Sequence, residues 1–280
     1  MNAPPPQLVD RAALARHRAR AAAMAEPALF LHDHAAGEIE ERLALVNRAF
    51  TAPAVVTPFA APWSARFPSA RVVPDDDILT LEPQAHDLVI HGLALHWAND
   101  PLGQLIQCLR ALKPDGLFLG ILFGGRTLTE LRAALMQAEI ALTGGASPRV
   151  APMGEIRDLG ALLQRAGFAL PVADAIELTV EYPDPLALMR DLRAMGETNA
   201  LAQRHRRTPP RALFSTAAEL YAEAHARPDG RIPASFEMVV LTGWAPHPSQ
   251  QKPLRPGSAA QRLAHALGTV EHRPGDMPSD

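Results

Sequence analysis

A doubly wound, mostly parallel α/β sheet is the fold class the sequence predicts, and three observations predict it. The stretch HDLVIHGLALHWANDPLGQLIQCLRALKPDGLFLG (86–120) reads as strand, helix, turn and strand, the order of a βαβ unit. Its first strand, HDLVIH, is apolar on both faces, which suits a strand covered by helices on either side. The 280 residues, 48% hydrophobic and 20% charged, are enough for one large α/β domain with its own core.

The elements follow in chain order. Residues 8–25 and 36–50 read as two helices, the second with Ile39, Leu43, Val46 and Phe50 at steps of three and four. PAVV (53–56) is short and β-branched, as a buried strand is, and the prolines of TPFAAPW after it predict irregular chain. ARVV (70–73) is a second strand closed by PDDD, and HDLVIH (86–91) a third. Asn99, Asp100 and Pro101 occupy the cap and first turn of a crossover helix, 101–112. KPDG then turns the chain into LFLGILF, 117–123. A helix over 127–142 has Thr127 in its cap, and a helix over 154–168 ends at Gly167. ADAIELTVEY (173–182) alternates as a strand does, a helical insertion spans about 184–226, and SFEMVVLTGWAP (235–246) supplies the late strand, expected to run antiparallel. Three parts are therefore expected: an N-terminal helical extension, 1–52; an α/β domain, 53–246; and an irregular tail, 247–280.

Composition excludes several functions. A net charge of −3 leaves no chain-wide basic field for nucleic acid or an anionic membrane surface. No apolar run is long enough to span a membrane, the single cysteine forms no internal disulfide, and a cytoplasmic location is the expectation. His32 and His34 have metal-like spacing but lack an evident third ligand, so no metal is expected.

The motifs carry a resemblance. Leu95-His96-Trp97 with Asn99-Asp100, Lys113-Pro114-Asp115-Gly116, Gly124-Gly125 through Arg132, Arg165 to Phe168, Met195 to Asn199 and Trp244 to Gln250 stand in one order along the chain. This order resembles the class I S-adenosylmethionine-dependent methyltransferases. More narrowly, it resembles the methyltransferase-like family that contains the mitochondrial complex I assembly factor described as an arginine hydroxylase. Bacterial relatives are labelled malonyl carrier-protein methyltransferases. The resemblance implies a Rossmann-like methyltransferase fold, S-adenosylmethionine as cofactor and a protein or carrier-protein substrate. It also places Asp75, Asp76 and Asp77 on the adenosine side of the cofactor, with His91 and Gly92 at the crevice outside the fourth strand of that fold.

Departures from the pattern are as informative as the matches. Where the resemblance implies a G-x-G-x-G loop, whose missing side chains admit the cofactor, this chain reads PAVVTPFAAPWSARFP, with no glycine. Too few residues separate that loop from PDDD for the usual helix and second strand, so the fold is expected to be truncated near its first strands. Two roles are open to His96 and Trp97, positioning a substrate or simply packing the crossover helix. Asp75–Asp77 is either an adenosine contact or a solvated strand end. The tail from Trp244 to Ala259 either covers a cleft or grips a partner, or is a plain terminus. No catalytic residue can be assigned from spacing. The sequence thus points to a methyltransferase-like protein with a degenerate cofactor site; the alternatives are a non-catalytic assembly or chaperone-like factor for a respiratory complex, and a protein arginine hydroxylase.

Overall fold

The computed structural model describes residues 7–251 and 268–269. The chain divides into two compact units, 1–247 and 248–280, and every named helix and strand lies in the first. Of the segment from Trp244 to Ala259, residues 252–259 fall outside the described residues.

One six-stranded sheet organises that unit. Its strands are β1 (Pro53–Val56), β2 (Arg71–Val73), β3 (His86–Gly92), β4 (Leu112–Phe123), β5 (Ala169–Tyr182) and β6 (Ile232–Trp244), in the order β2-β1-β3-β4-β6-β5. β1, β2, β3 and β4 pair in parallel, whereas β6 runs antiparallel between β4 and β5. HDLVIH is accordingly internal: Ile90 faces Val55 on one side and Leu119 on the other. Alternation sorts the side chains of these strands into two cores. Val55, Leu88, Ile90, Leu119 and Ile121 pack beneath α2 (Phe30–Leu45), α3 (Ala60–Arg66), α5 (Thr129–Thr143), α7 (Pro185–Ala194) and α8 (Arg211–His225). Val56, Val89, Phe118 and Leu122 pack on the opposite face against α4 (Pro101–Ala111) and α6 (Ile156–Ala166). Cys108 sits in this second core, where burial pushes its thiol up to about 12 and leaves it a small hydrophobe. Among the described residues no helix is long and apolar enough to cross a membrane.

Local chemistry explains where elements begin, and where they depart from expectation. Asp10 caps α1 (Arg11–Ala22) by accepting from the Ala13 amide at 2.9 Å, and Asp100 caps α4 in the same way on Gly103. α2 starts at Phe30, six residues before the periodic run suggested, because His32 belongs to its buried face with Leu31, Ala35, Ala36 and Ile39. The stretch expected to be irregular holds α3, since Pro62 falls in the first helical turn, where a missing N–H costs no intrahelical bond. Thr127 is not the cap of α5: Leu128 takes that position at φ 54°, and the Thr127 hydroxyl donates instead to the Glu237 carbonyl. KPDG is absorbed into β4 as a bulge, with Asp115 at φ 64° and a register shift opposite His86–Leu88.

Asp87 fastens the start of β1 to β3. Its carboxylate accepts from the Thr51 amide at 2.6 Å, the Thr51 hydroxyl at 2.9 Å and the Ala52 amide at 2.9 Å. Burial pushes this carboxyl up, but the hydrogen bonds from Thr51 and Ala52 outweigh that and hold it below the ordinary aspartate range. A folded-state value below the unfolded one contributes stability that is present above the unfolded pKa and disappears as pH falls through the folded one. Asp87→Ala should therefore cost about 2–4 kcal/mol at pH 7 by leaving two backbone amides without their acceptor. In urea titrations the gap to the parent should narrow below about pH 4. A gap that is constant down to pH 2 would show that the carboxylate is not the acting species.

Candidate functional site

In an open parallel sheet a ligand is expected outside the carboxyl ends of the strands, and in this chain that space between β1 and β3 holds protein. Gly92 ends β3, and a Cβ added to it would overlap the Trp63 ring, with Cη2 2.7 Å away. Trp63, fully buried on α3, donates through Nε1 to His32 Nδ1 at 3.1 Å. His32 thus carries its own proton on Nε2, and burial lowers its pKa to about 4, so the ring is neutral at physiological pH. Phe59 closes the group edge-on to His32, with ring centroids 5.2 Å apart.

The acidic turn is also occupied. Asp75 is buried, and Arg18 of α1 donates to both of its carboxylate oxygens at 2.8 Å. Arg11 adds a contact to Oδ2 at 3.2 Å and another to the Asp75 carbonyl. Asp76 and Asp77 are exposed, Asp77 lying 3.6 Å from Arg11. His91 is fully buried one position before Gly92; its Nε2 donates to Gln104 Oε1 at 2.8 Å, and Gln104 Nε2 donates to the Asp76 carbonyl. Burial lowers the His91 pKa, keeping this ring neutral as well. Asp75, Asp76 and Asp77 lie near His91 through Gln104, whereas Gly92 lies under Trp63. The residues present do not fit S-adenosylmethionine: the glycine loop is replaced by α3, its tryptophan covers Gly92, and the Asp75 carboxylate already accepts hydrogen bonds from Arg11 and Arg18.

The other pair singled out in the sequence leads elsewhere. His96 and Trp97 lie in a short 3-10 turn, Leu95–Trp97, that follows β3. Both meet one carboxylate: Trp97 Nε1 donates to Glu197 Oε2 at 2.6 Å, and His96 Nε2 lies 3.4 Å from the same oxygen. The His96 side chain is 1% exposed and that of Glu197 10%. Burial pushes the Glu197 carboxyl up, but the His96 hydrogen bond and charge, the nearby Arg18 and the Trp97 hydrogen bond together hold it below its ordinary value. Gly196, at φ 76°, lets α1 come close: a Cβ there would sit 3.1 Å from Arg18 Cα. Met195 to Asn199 is therefore the piece that locks α1, the 3-10 turn and the insertion together.

Beside this lock lies a cavity of about 640 Å³, within the usual size range of ligand sites. Trp97 and Glu197 form part of its wall, and Phe123, Leu131, Met153, Met189, Phe214 and Phe236 supply much of its apolar surface. Leu131 and Leu135 present one face of α5 to it, with Thr127 and Leu128 from the turn before that helix, and residues 186, 189, 190 and 193 present one face of α7. None of Asp75, Asp76, Asp77, His91 or Gly92 lines it. The structure therefore divides the sequence candidates into two places: a filled crevice, and the edge of an open cavity reached by Trp97 but not by the acidic turn. Sequence reasoning did not single out Glu197, although it stands in the Met195–Asn199 motif, because several other charged residues share the insertion and nothing in the spacing marks this acid as buried. Nor did it single out the cavity-facing arginines. Among the described residues no group of three or more His, Cys, Asp or Glu is placed to hold a metal ion, and His34 instead lies 3.9 Å from Glu38 on its own helix.

No family model matches the chain. It is 41% identical over 209 residues to the human protein named arginine-hydroxylase NDUFAF5, mitochondrial, covering 73% of this chain and 59% of that one. To the malonyl-[acyl-carrier protein] O-methyltransferase of Xylella fastidiosa it is 36% identical over 179 residues, covering 64% and 58%. Its matches span a little under three-fifths of the length of these two relatives. Among solved structures, the YcgJ protein of Bacillus subtilis shares the fold, with a TM-score of 0.50 at 12% identity, over 76% of this chain and 99% of that one. The fold is methyltransferase-like, and the chain is a homologue of both named groups.

Proposed function

We propose that this chain, a homologue of proteins named arginine-hydroxylase NDUFAF5 and malonyl-[acyl-carrier protein] O-methyltransferase, is a methyltransferase-like protein that engages a protein or carrier-protein substrate without using S-adenosylmethionine. The observation that carries the reading is the Trp63 ring seated on Gly92, with Arg18 and Arg11 holding Asp75. Both features put this chain's own side chains where the cofactor resemblance would put adenosine and methionine. The substrate end, by contrast, retains an open cavity walled by the helical insertion. Arg20, Arg190 and Arg193 line it as well, and two helices of different origin, α1 and α7, supply them. A positive mouth favours an acidic partner and accelerates its approach. The reading therefore joins a binding role to a methyltransferase-like frame, in the manner of an assembly factor.

Surface-immobilised protein exposed to acidic carrier protein bearing a malonyl thioester tests this. Binding is expected to be weakened by added salt and to be the same with and without S-adenosylmethionine. Binding that requires the cofactor, or transfer of a labelled methyl group to the carrier, would overturn it.

A further inference from the structure

The cavity combines two chemistries that are rarely satisfied by one ligand. Its inner surface is built from Phe123, Leu128, Leu131, Leu135, Phe214 and Phe236, together with Met153, Met189 and Met195, whose unbranched thioethers adjust to a flexible guest. Its solvent-facing edge carries Arg20, Arg190 and Arg193, all exposed. Among the described residues none of these three has a carboxylate within ion-pair distance, whereas the other two arginines of the lining are matched, Arg149 by Glu139 and Arg204 by Asp10. Arg190 and Arg193, three residues apart, share the face of α7 that also presents Leu186 and Met189. Apolar and cationic groups thus alternate on one helix surface at the mouth. Glu197, at the inner wall with Trp97, keeps a negative charge there and disfavours an anion at that depth.

From this arrangement we propose that the cavity binds a single-chain aliphatic carboxylate, its hydrocarbon tail inside and its carboxylate held at the mouth by Arg190, Arg193 and Arg20. A purely apolar guest leaves the three guanidinium groups unmatched, and a compact polar anion leaves the inner surface wet. A cationic amphiphile places like charges together. The proposal rests on the reading of this cavity as the binding end of the molecule, and it adds the class of group bound there.

Calorimetry with the full chain and a series of straight-chain carboxylates of six to twelve carbons, below their micelle concentrations, tests it against the alcohols and amines of equal length. Affinity is expected to rise about fourfold per added methylene until the cavity is full. Carboxylates should bind at least tenfold more tightly than alcohols, with amines weakest. In the doubly substituted Arg190→Ser, Arg193→Ser protein, where both changes lie on an exposed helix face, the protein should unfold within a few degrees of the parent and the preference for carboxylate over alcohol should fall severalfold, to what Arg20 alone supplies. No dependence on chain length, or equal binding of carboxylate and alcohol by the parent, overturns the proposal. Binding of the carrier protein with none of the carboxylates would overturn it and leave the broader reading standing; carboxylate binding alone, with no carrier binding, would do the reverse.

Discussion

Trp63→Ala should lower the free energy of unfolding by about 3–5 kcal/mol, the usual cost of removing a buried tryptophan. For a compact unit of this size that is a fall of roughly 6–20 °C in the unfolding midpoint. The side chain is fully buried, lies flush on Gly92, stacks near Phe67 at 6.4 Å between ring centroids and gives its one polar atom to His32. Truncation removes the packing and leaves His32 Nδ1 without its donor, so both the apolar and the polar contributions are lost. The void is apolar on most sides and of indole shape, and indole at millimolar concentration should restore part of the lost midpoint in the variant while leaving the parent unmoved. A variant as stable as the parent would mean that the ring does not fill the crevice.

Trp97→Ala should cost a comparable amount, about 3–5 kcal/mol, for a different reason. Here the indole is 2% exposed and its Nε1 proton is the shortest donor to Glu197, a carboxylate that the fold has taken out of water. Deleting the donor leaves a buried charge with a long contact to His96 and the field of Arg18. Glu197→Gln is expected to be milder, about 1–2 kcal/mol, because the amide oxygen still accepts from Trp97. A cycle combining Trp97→Phe with Glu197→Ala, each of which removes one partner of the hydrogen bond, should return a coupling energy on the order of 1 kcal/mol. Additive effects in thermal unfolding would show that the pair does not lock the turn to the insertion.

Much of this architecture was legible in the chain because it depends on local pattern. The βαβ unit announced itself through HDLVIH, the Asp100-Pro101 helix start and the KPDG turn, and the sheet places those strands side by side. Short apolar strands with β-branched residues, such as PAVV, cannot find another place than a covered sheet. The misreadings arose where tertiary contact overrides local signal. His32 lay outside the helix expected at 36–50, and is instead a neutral ring on the buried face of α2, where Trp63, thirty-one residues away, supplies its hydrogen bond. The prolines of TPFAAPW hid α3, since position within the first turn, not proline content, decides whether a helix survives. Site geometry was harder still. Asp75 was visible as an acid after a strand, but nothing in its neighbourhood reveals that Arg11 and Arg18 reach it from more than fifty residues away. The absence of glycine between 53 and 68 did register, and Trp63 shows its physical counterpart: the space that glycines would leave open is taken by a ring.

We propose that this chain keeps the methyltransferase frame with its cofactor end closed by Trp63, Arg11 and Arg18. Isothermal calorimetry of the full chain with S-adenosylmethionine, S-adenosylhomocysteine and adenosine tests that claim most directly. A ligand present at a hundred times its dissociation constant stabilises the folded state by about 2.7 kcal/mol, so parallel thermal scans give an independent reading of the same affinity. No binding heat and no midpoint shift are expected with S-adenosylmethionine at sub-millimolar concentration, and none larger than adenosine gives. Micromolar binding, with S-adenosylhomocysteine clearly tighter than adenosine, would contradict it and return the crevice beneath Trp63 to the cofactor.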